Sequence, residues 1–159
     1  MIKMKNLYLF AVLFIFATQN QTIGSIESGN TQINTYETKV ILTTGNTVIH
    51  ATLNNTKSAQ HLISKLPYTI TLSRYQSDYC GVMPGGLEYD VNEAQGGWKA
   101  GEIHYTLNGN WLAIFFAGEL QRNGSGFIKL GNIDTDISVL QKLGSSVSFT
   151  ISLEESRHK

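Results

Sequence analysis

Three stretches of this chain alternate apolar and mostly polar residues with a period of two, and this alternation constrains the fold more than any other feature. The clearest is residues 146–153, which read SVSFTISL. Residues 47–53 and 68–75 follow the same pattern. Successive side chains of a β-strand point to opposite faces, so the pattern predicts strands with one buried face. The chain is therefore predicted to be mostly β.

Two short helices are predicted between the strands. The first covers Ala59–Leu66, where apolar residues recur at helical spacing, and it ends before Pro67, which cannot continue a helix. The second follows the capping side chains at 134–136 and ends at Gly144. Mixed strands with two short helices predict a closed β-barrel of about eight strands with the helices capping its ends.

Two further stretches refine this picture. The strand predicted at Trp111–Gly118 is apolar on both faces, which is typical of a strand covered on both sides. By contrast, residues 76–100 are rich in glycine and lack a clear period, so they are predicted to form a long loop. Loops of that length in compact domains are often functional.

The N-terminus has the pattern of a secretory signal peptide. Lys3 and Lys5 precede an apolar run, Leu7–Ala17, which is too short for a membrane span of about 20 residues. We therefore predict a signal peptide at 1–22, a flexible linker at 23–38, a globular domain at 39–154 and a C-terminal tail at 155–159. The protein is expected in the periplasm or outside the cell, with no membrane span once the signal is cleaved. An uncleaved signal anchor is the alternative.

Charge and cysteine content exclude several classes of protein. The chain has 12 basic and 12 acidic residues, and removal of Lys3 and Lys5 with the signal leaves 10 against 12, a net charge of −2. A nucleic-acid partner is not expected, since such proteins carry a basic excess. Cys80 is the only cysteine, so it has no disulfide partner within the chain. The four histidines show no ligand spacing and are predicted to be solvated, so neither a metal nor a cofactor is expected.

Several segments together resemble a known family. Phe127–Ile133 is followed by a short helix, a glycine and a terminal strand; Ala113–Gly118 contains a phenylalanine pair; and Lys65–Ile70 places Leu-Pro before a strand. In this order they resemble the bacterial cyclophilin-like domain family of secreted or cell-envelope type. The resemblance covers residues 39–154 and implies a cyclophilin-like barrel.

The resemblance also implies candidate catalytic residues. A prolyl isomerase needs a fixed cation near the prolyl nitrogen and an apolar pocket for the ring. Arg74 on the third predicted strand and Phe116, or its neighbour Phe115, correspond to these groups. Gln95-Gly96-Gly97 is similar to the glutamine motif of cyclophilins. The tryptophan and histidine that cyclophilins carry before the last helix have no counterpart between 118 and 133.

The sequence therefore predicts a binding module more strongly than an enzyme. Its expected ligand is a peptide or a small molecule, and the predicted ligand-binding residues are Arg74, Tyr75, Tyr89, Trp98 and Phe116. The alternative function is a weak peptidyl-prolyl cis-trans isomerase centred on Arg74 and Phe116. The aromatic residues of the long loop have a structural alternative as well, a small satellite core beneath the loop. No feature of the sequence indicates an oligomeric state.

Overall fold

The computed structural model describes residues 37–155 of the 159-residue chain. The predicted signal peptide (1–22) lies outside this range, as do most of the predicted linker (23–38) and of the tail (155–159).

Eight antiparallel strands close into a barrel in the order β1-β10-β3-β4-β7-β6-β9-β2, which confirms the predicted fold class. A separate two-stranded sheet consists of β5 and β8. The strands are β1 Thr38–Thr44, β2 Thr47–Leu53, β3 Tyr68–Arg74, β4 Asp78–Val82, β5 Trp98–Lys99, β6 Glu102–Thr106, β7 Trp111–Phe115, β8 Glu119–Leu120, β9 Phe127–Ile133 and β10 Ser146–Leu153.

The two helices lie at opposite ends of the barrel. Helix α1, Lys57–Ser64, connects β2 to the start of β3, whereas α2, Ser138–Gln141, precedes the start of β10. Because the start of β10 pairs with the end of β3, the helices occupy the two ends. Each inserts apolar side chains into the core, Leu62 from α1 and Leu140 from α2. These side chains exclude water from the two ends of the barrel core.

Buried tyrosines connect the core to the structure at each end. At the α1 end, the hydroxyl of Tyr105 donates to Asn110 Oδ1 at 2.6 Å and accepts from the backbone N–H of Leu87 at 3.1 Å. At the α2 end, the Tyr79 hydroxyl lies 2.8 Å from the carbonyl oxygen of Gly144. Both side chains are almost fully buried, so these bonds satisfy hydroxyls that would otherwise destabilise the core.

The prediction of a long loop at 76–100 is partly wrong, because this segment contains a barrel strand. Residues Asp78–Val82 form β4, which pairs with β3 and β7. The polar and small residues of this strand hide its period. Gly81 is one of them, and the barrel needs it there: a Cβ at this position would lie 2.5 Å from the carbonyl oxygen of Thr71. Further along, the segment forms a 3-10 turn at Val91–Glu93 and then β5.

The prediction that β7 is covered on both faces is confirmed. Leu112 and Ile114 point into the core, and Ala113 and Phe115 are buried although they point outward. Outward residues of a barrel strand are buried only where a second layer covers them. That second layer includes the β5–β8 sheet, and it forms the site described next.

Candidate functional site

The β5–β8 sheet and the segment after it line an open cleft on the outer face of the barrel. The cleft has a volume of about 440 Å³. One wall comes from the segment leading into β5, and the other from β8 and the residues that follow it. The lining residues are Gln95, Gly97, Trp98, Lys99, Glu102, Leu120, Gln121, Arg122 and Asn123.

Trp98 is held in the cleft by stacking on the barrel. Its ring lies parallel to that of Phe115, with centroids 4.1 Å apart and planes 9° apart. His104 of β6 and Phe127 of β9 meet Phe115 edge-on, with ring centroids 5.5 and 6.5 Å away. Offset or parallel aromatic contacts add to the free energy of burial, so this cluster fixes the indole against the barrel.

The Gln95-Gly96-Gly97 motif allows the two walls of the cleft to approach each other closely. A Cβ at Gly96 would collide with the carbonyl oxygen of Arg122, and one at Gly97 with that of Leu120. Gln95 bonds locally: its side-chain amide donates to the carbonyl oxygen of Gly97 at 2.9 Å. The glycines are therefore required by the backbone contact between the walls.

Glu102 lies at the base of the cleft with both carboxylate oxygens hydrogen-bonded. Oε2 accepts from the backbone N–H of Lys99 at 2.8 Å and from His104 Nε2 at 2.9 Å, and Oε1 accepts from Lys129 Nζ at 2.8 Å. Burial raises the pKa of Glu102, but the hydrogen bonds from Lys129, His104 and Lys99 outweigh it and hold the pKa below its usual value. The side chain is 14% exposed and is ionised at neutral pH.

His104 is buried behind Glu102, so the prediction that it is a solvated surface histidine is wrong. Its side chain is 0% exposed because the second layer covers this part of β6. Burial lowers the pKa of His104 more strongly than the Glu102 carboxylate raises it. The neutral ring donates from Nε2 to Glu102, and Nδ1 has no partner among residues 37–155.

Arg74 and Phe116 contact each other, but they lie at the α2 end of the barrel and do not line the cleft. The guanidinium carbon of Arg74 is 4.7 Å from the centroid of the Phe116 ring. Its Nη1 lies 2.8 and 3.1 Å from the carbonyl oxygens of Gln141 and Leu143. Phe116 is only 3% exposed. In this position the arginine stabilises the end of α2.

Of the predicted ligand-binding residues, Trp98 lines the cleft. Tyr75 and Tyr89 are 53% and 47% exposed and lie outside its lining, as do Arg74 and Phe116. The sequence pattern did not predict a site at the residues after β8. The remaining cleft residues were missed: Lys99, Leu120, Gln121, Arg122 and Asn123.

The described part of the chain contains no group of three or more His, Cys, Asp or Glu residues placed to hold a metal ion. Within residues 37–155 there is also no helix long and apolar enough to cross a membrane.

Comparison with known proteins agrees with this architecture. The model of the Cyclophilin-like family matches residues 42–154. The solution structure of the hypothetical protein AF2241 from Archaeoglobus fulgidus is similar, with a TM-score of 0.60 and 14% sequence identity. The alignment covers 77% of this chain and 99% of that protein, and at this identity it shows a shared fold. No curated protein matches this chain. Because the family model matches well over half of its length, the chain belongs to the Cyclophilin-like family.

Proposed function

We propose that this protein is an exported, non-catalytic binding module that receives a peptide or small molecule in the outer-face cleft. The observation that carries the proposal is the stacking of Trp98 on Phe115 inside a cleft with a polar lining. Ligand sites commonly combine a rigid aromatic surface with a few fixed polar groups. Here the aromatic surface is the half-buried indole, and the fixed polar group is Glu102.

The chemistry of the cleft favours binding over catalysis. Glu102 is the carboxylate within it, and a carboxylate with a lowered pKa and three donors is a weak base. Its neighbour His104 is sealed from solvent. Neither group is therefore suited to take a proton from a ligand.

The geometry of Arg74 argues against the isomerase alternative. An isomerase would need the guanidinium free to face a prolyl nitrogen. In this protein Arg74 packs over Phe116 and donates to the end of α2, and the Phe116 ring is covered.

A ligand screen by thermal shift tests the binding proposal. Metabolite and peptide libraries are screened against the wild type, Trp98→Ala and Tyr89→Ala. Tyr89 is the matched control, since it is an exposed aromatic of the same 76–100 segment that lies outside the cleft. We expect ligands that raise the melting temperature of the wild type and of Tyr89→Ala but not of Trp98→Ala. Absence of any stabilising ligand, or shifts that depend on Tyr89 instead, would reject the cleft as the binding site.

A proline-peptide isomerisation assay tests the alternative function. We expect the wild type to leave the rate at its uncatalysed background. A catalysed rate that disappears in Arg74→Ala would establish the isomerase centred on Arg74 and Phe116. A rate that depends on Trp98 instead would place isomerisation in the cleft, and either result would overturn the non-catalytic assignment.

Export is proposed from the charge and apolar pattern of residues 1–22. Cell fractionation of the full chain is compared with a variant in which two leucines of the apolar run, Leu9 and Leu13, are replaced by arginine. We expect the wild type outside the cytoplasm and the variant within it. Equal distribution of the two proteins would contradict export by this segment.

A further inference from the structure

We infer that the preferred ligand of the cleft is an extended acidic peptide, whose carboxylates are bound by Lys99 and Arg122. This inference rests on the proposed function and adds the chemical class of the ligand.

Of the charged side chains that line the cleft, only the carboxylate has ionic partners. Its lining contains the cations Lys99 and Arg122 and the anion Glu102. Glu102 already pairs with Lys129 and His104. Within residues 37–155, neither Lys99 nor Arg122 forms a salt bridge. Glu119 lies opposite Lys99 in the small sheet, so the three cations Lys99, Arg122 and Lys129 stand against the two anions Glu102 and Glu119. This leaves an excess of one positive charge at the cleft of a domain that is acidic overall, and it favours an anionic ligand.

Both cations are attached to fixed parts of the structure. Lys99 lies in β5, and its backbone N–H donates to Glu102 at 2.8 Å. The guanidinium of Arg122 lies 5.6 Å from the centroid of the Phe127 ring. In the small sheet Trp98 pairs with Leu120, which precedes Arg122 by two residues. Lys99 therefore follows Trp98 directly in the chain, and Arg122 lies on the opposite wall of the cleft.

Backbone groups along one wall favour a peptide over a small organic anion. The backbone N–H groups of residues 121–123, which line this wall, donate to no partner in the part of the chain that the structure describes. The amide side chains of Gln121 and Asn123 line the same wall. An extended peptide can bond to such groups with its own backbone while its side chains reach the cations and the indole.

Peptide binding by fluorescence anisotropy tests this inference on the full chain. The probes are a short peptide in which glutamate alternates with valine, its glutamine analogue, its lysine analogue, and free glutarate as competitor. The proteins are the wild type, Lys99→Ala, Arg122→Ala, and Lys65→Ala as control. Lys65 is an exposed lysine at the end of α1, outside the cleft.

We expect the glutamate peptide to bind most tightly and to weaken as salt is added, because these exposed charges are screened. Each of Lys99→Ala and Arg122→Ala should weaken it about three- to tenfold, and Lys65→Ala should leave it unchanged. Glutarate should compete only weakly.

Other outcomes separate this inference from the binding proposal. Equal binding of the glutamine peptide, lost in Trp98→Ala, would overturn the acidic class but keep the cleft as a binding site. If glutarate binds as tightly as the glutamate peptide, the cleft recognises carboxylates but does not prefer a peptide. If none of the three peptides binds, the acidic-peptide inference is wrong. Whether the cleft binds any ligand is then decided by the library screen.

Discussion

The ring of Trp98 lies parallel to that of Phe115 at a centroid distance of 4.1 Å. This contact joins β5, a two-residue strand outside the barrel, to the outward face of β7. A strand this short cannot hold its position by its own hydrogen bonds, so the stacking anchors this wall of the cleft.

Replacement of Trp98 should therefore destabilise the protein as well as the cleft. We expect Trp98→Ala to lower the free energy of unfolding by about 1–3 kcal/mol, because aromatic contact area is lost, and Trp98→Phe to lower it less. Urea denaturation measures both. Tyr75→Ala is the control, since Tyr75 is 53% exposed and should change stability little. Equal effects of Trp98→Ala and Tyr75→Ala would show that the stacking contributes nothing.

Substitution of Gly97 should separate the two walls of the cleft. A Cβ at this position would collide with the carbonyl oxygen of Leu120, so we expect Gly97→Ala to cost about 1–3 kcal/mol and to abolish ligand binding. Gly126→Ala is the matched control, because Gly126 has open space around its Cβ position. Hydrogen exchange gives an independent readout, since the amide of Lys99 should lose protection only in Gly97→Ala. Unchanged protection there would disprove the close approach.

Acidification should weaken the fold through His104. Its folded pKa lies below its ordinary value of 6.5, chiefly because of burial. The unfolded chain therefore binds more protons, and the stability contributed by this residue is present above pH 6.5 and lost as the pH falls through the folded pKa. We expect His104→Gln to flatten this part of the stability curve. A wild-type stability that stays constant from pH 7 to pH 5 would refute the assignment.

Protonation of Glu102 should lower the free energy of unfolding further at lower pH. Its folded pKa is also lowered, so its contribution is present above its ordinary value of 4.5 and is lost on further acidification.

Arg74 should prove to be a structural residue. Its guanidinium donates to the last carbonyls around α2 and covers Phe116, so we expect Arg74→Ala to lower the free energy of unfolding by about 1–2 kcal/mol. Lys142→Ala is the control, as an exposed cation next to the same helix. Thermal and urea unfolding measure the difference. Wild-type stability of Arg74→Ala would contradict this structural role.

The pattern of apolar residues was enough to predict the barrel. Alternation in β2, β3 and β10 assigns an inner and an outer face to each strand, and the helix-spaced residues before Pro67 identify α1. Strand β4 was missed because its outward and inward residues differ little in polarity. There the pairing with β3 and β7 decides the conformation.

The cleft itself depended on contacts that the linear sequence does not contain. The apolar outer face of β7 predicted that something covers it, but could not say what. In the folded protein, β5 and β8 pair although 19 residues of chain lie between them, and cross-strand register brings Lys129 of β9 to Glu102 of β6. Period and composition thus determine which face of each strand is buried, because burial depends on polarity. Only tertiary structure decides which polar groups meet on the outside, because that depends on register and on how closely two backbones approach.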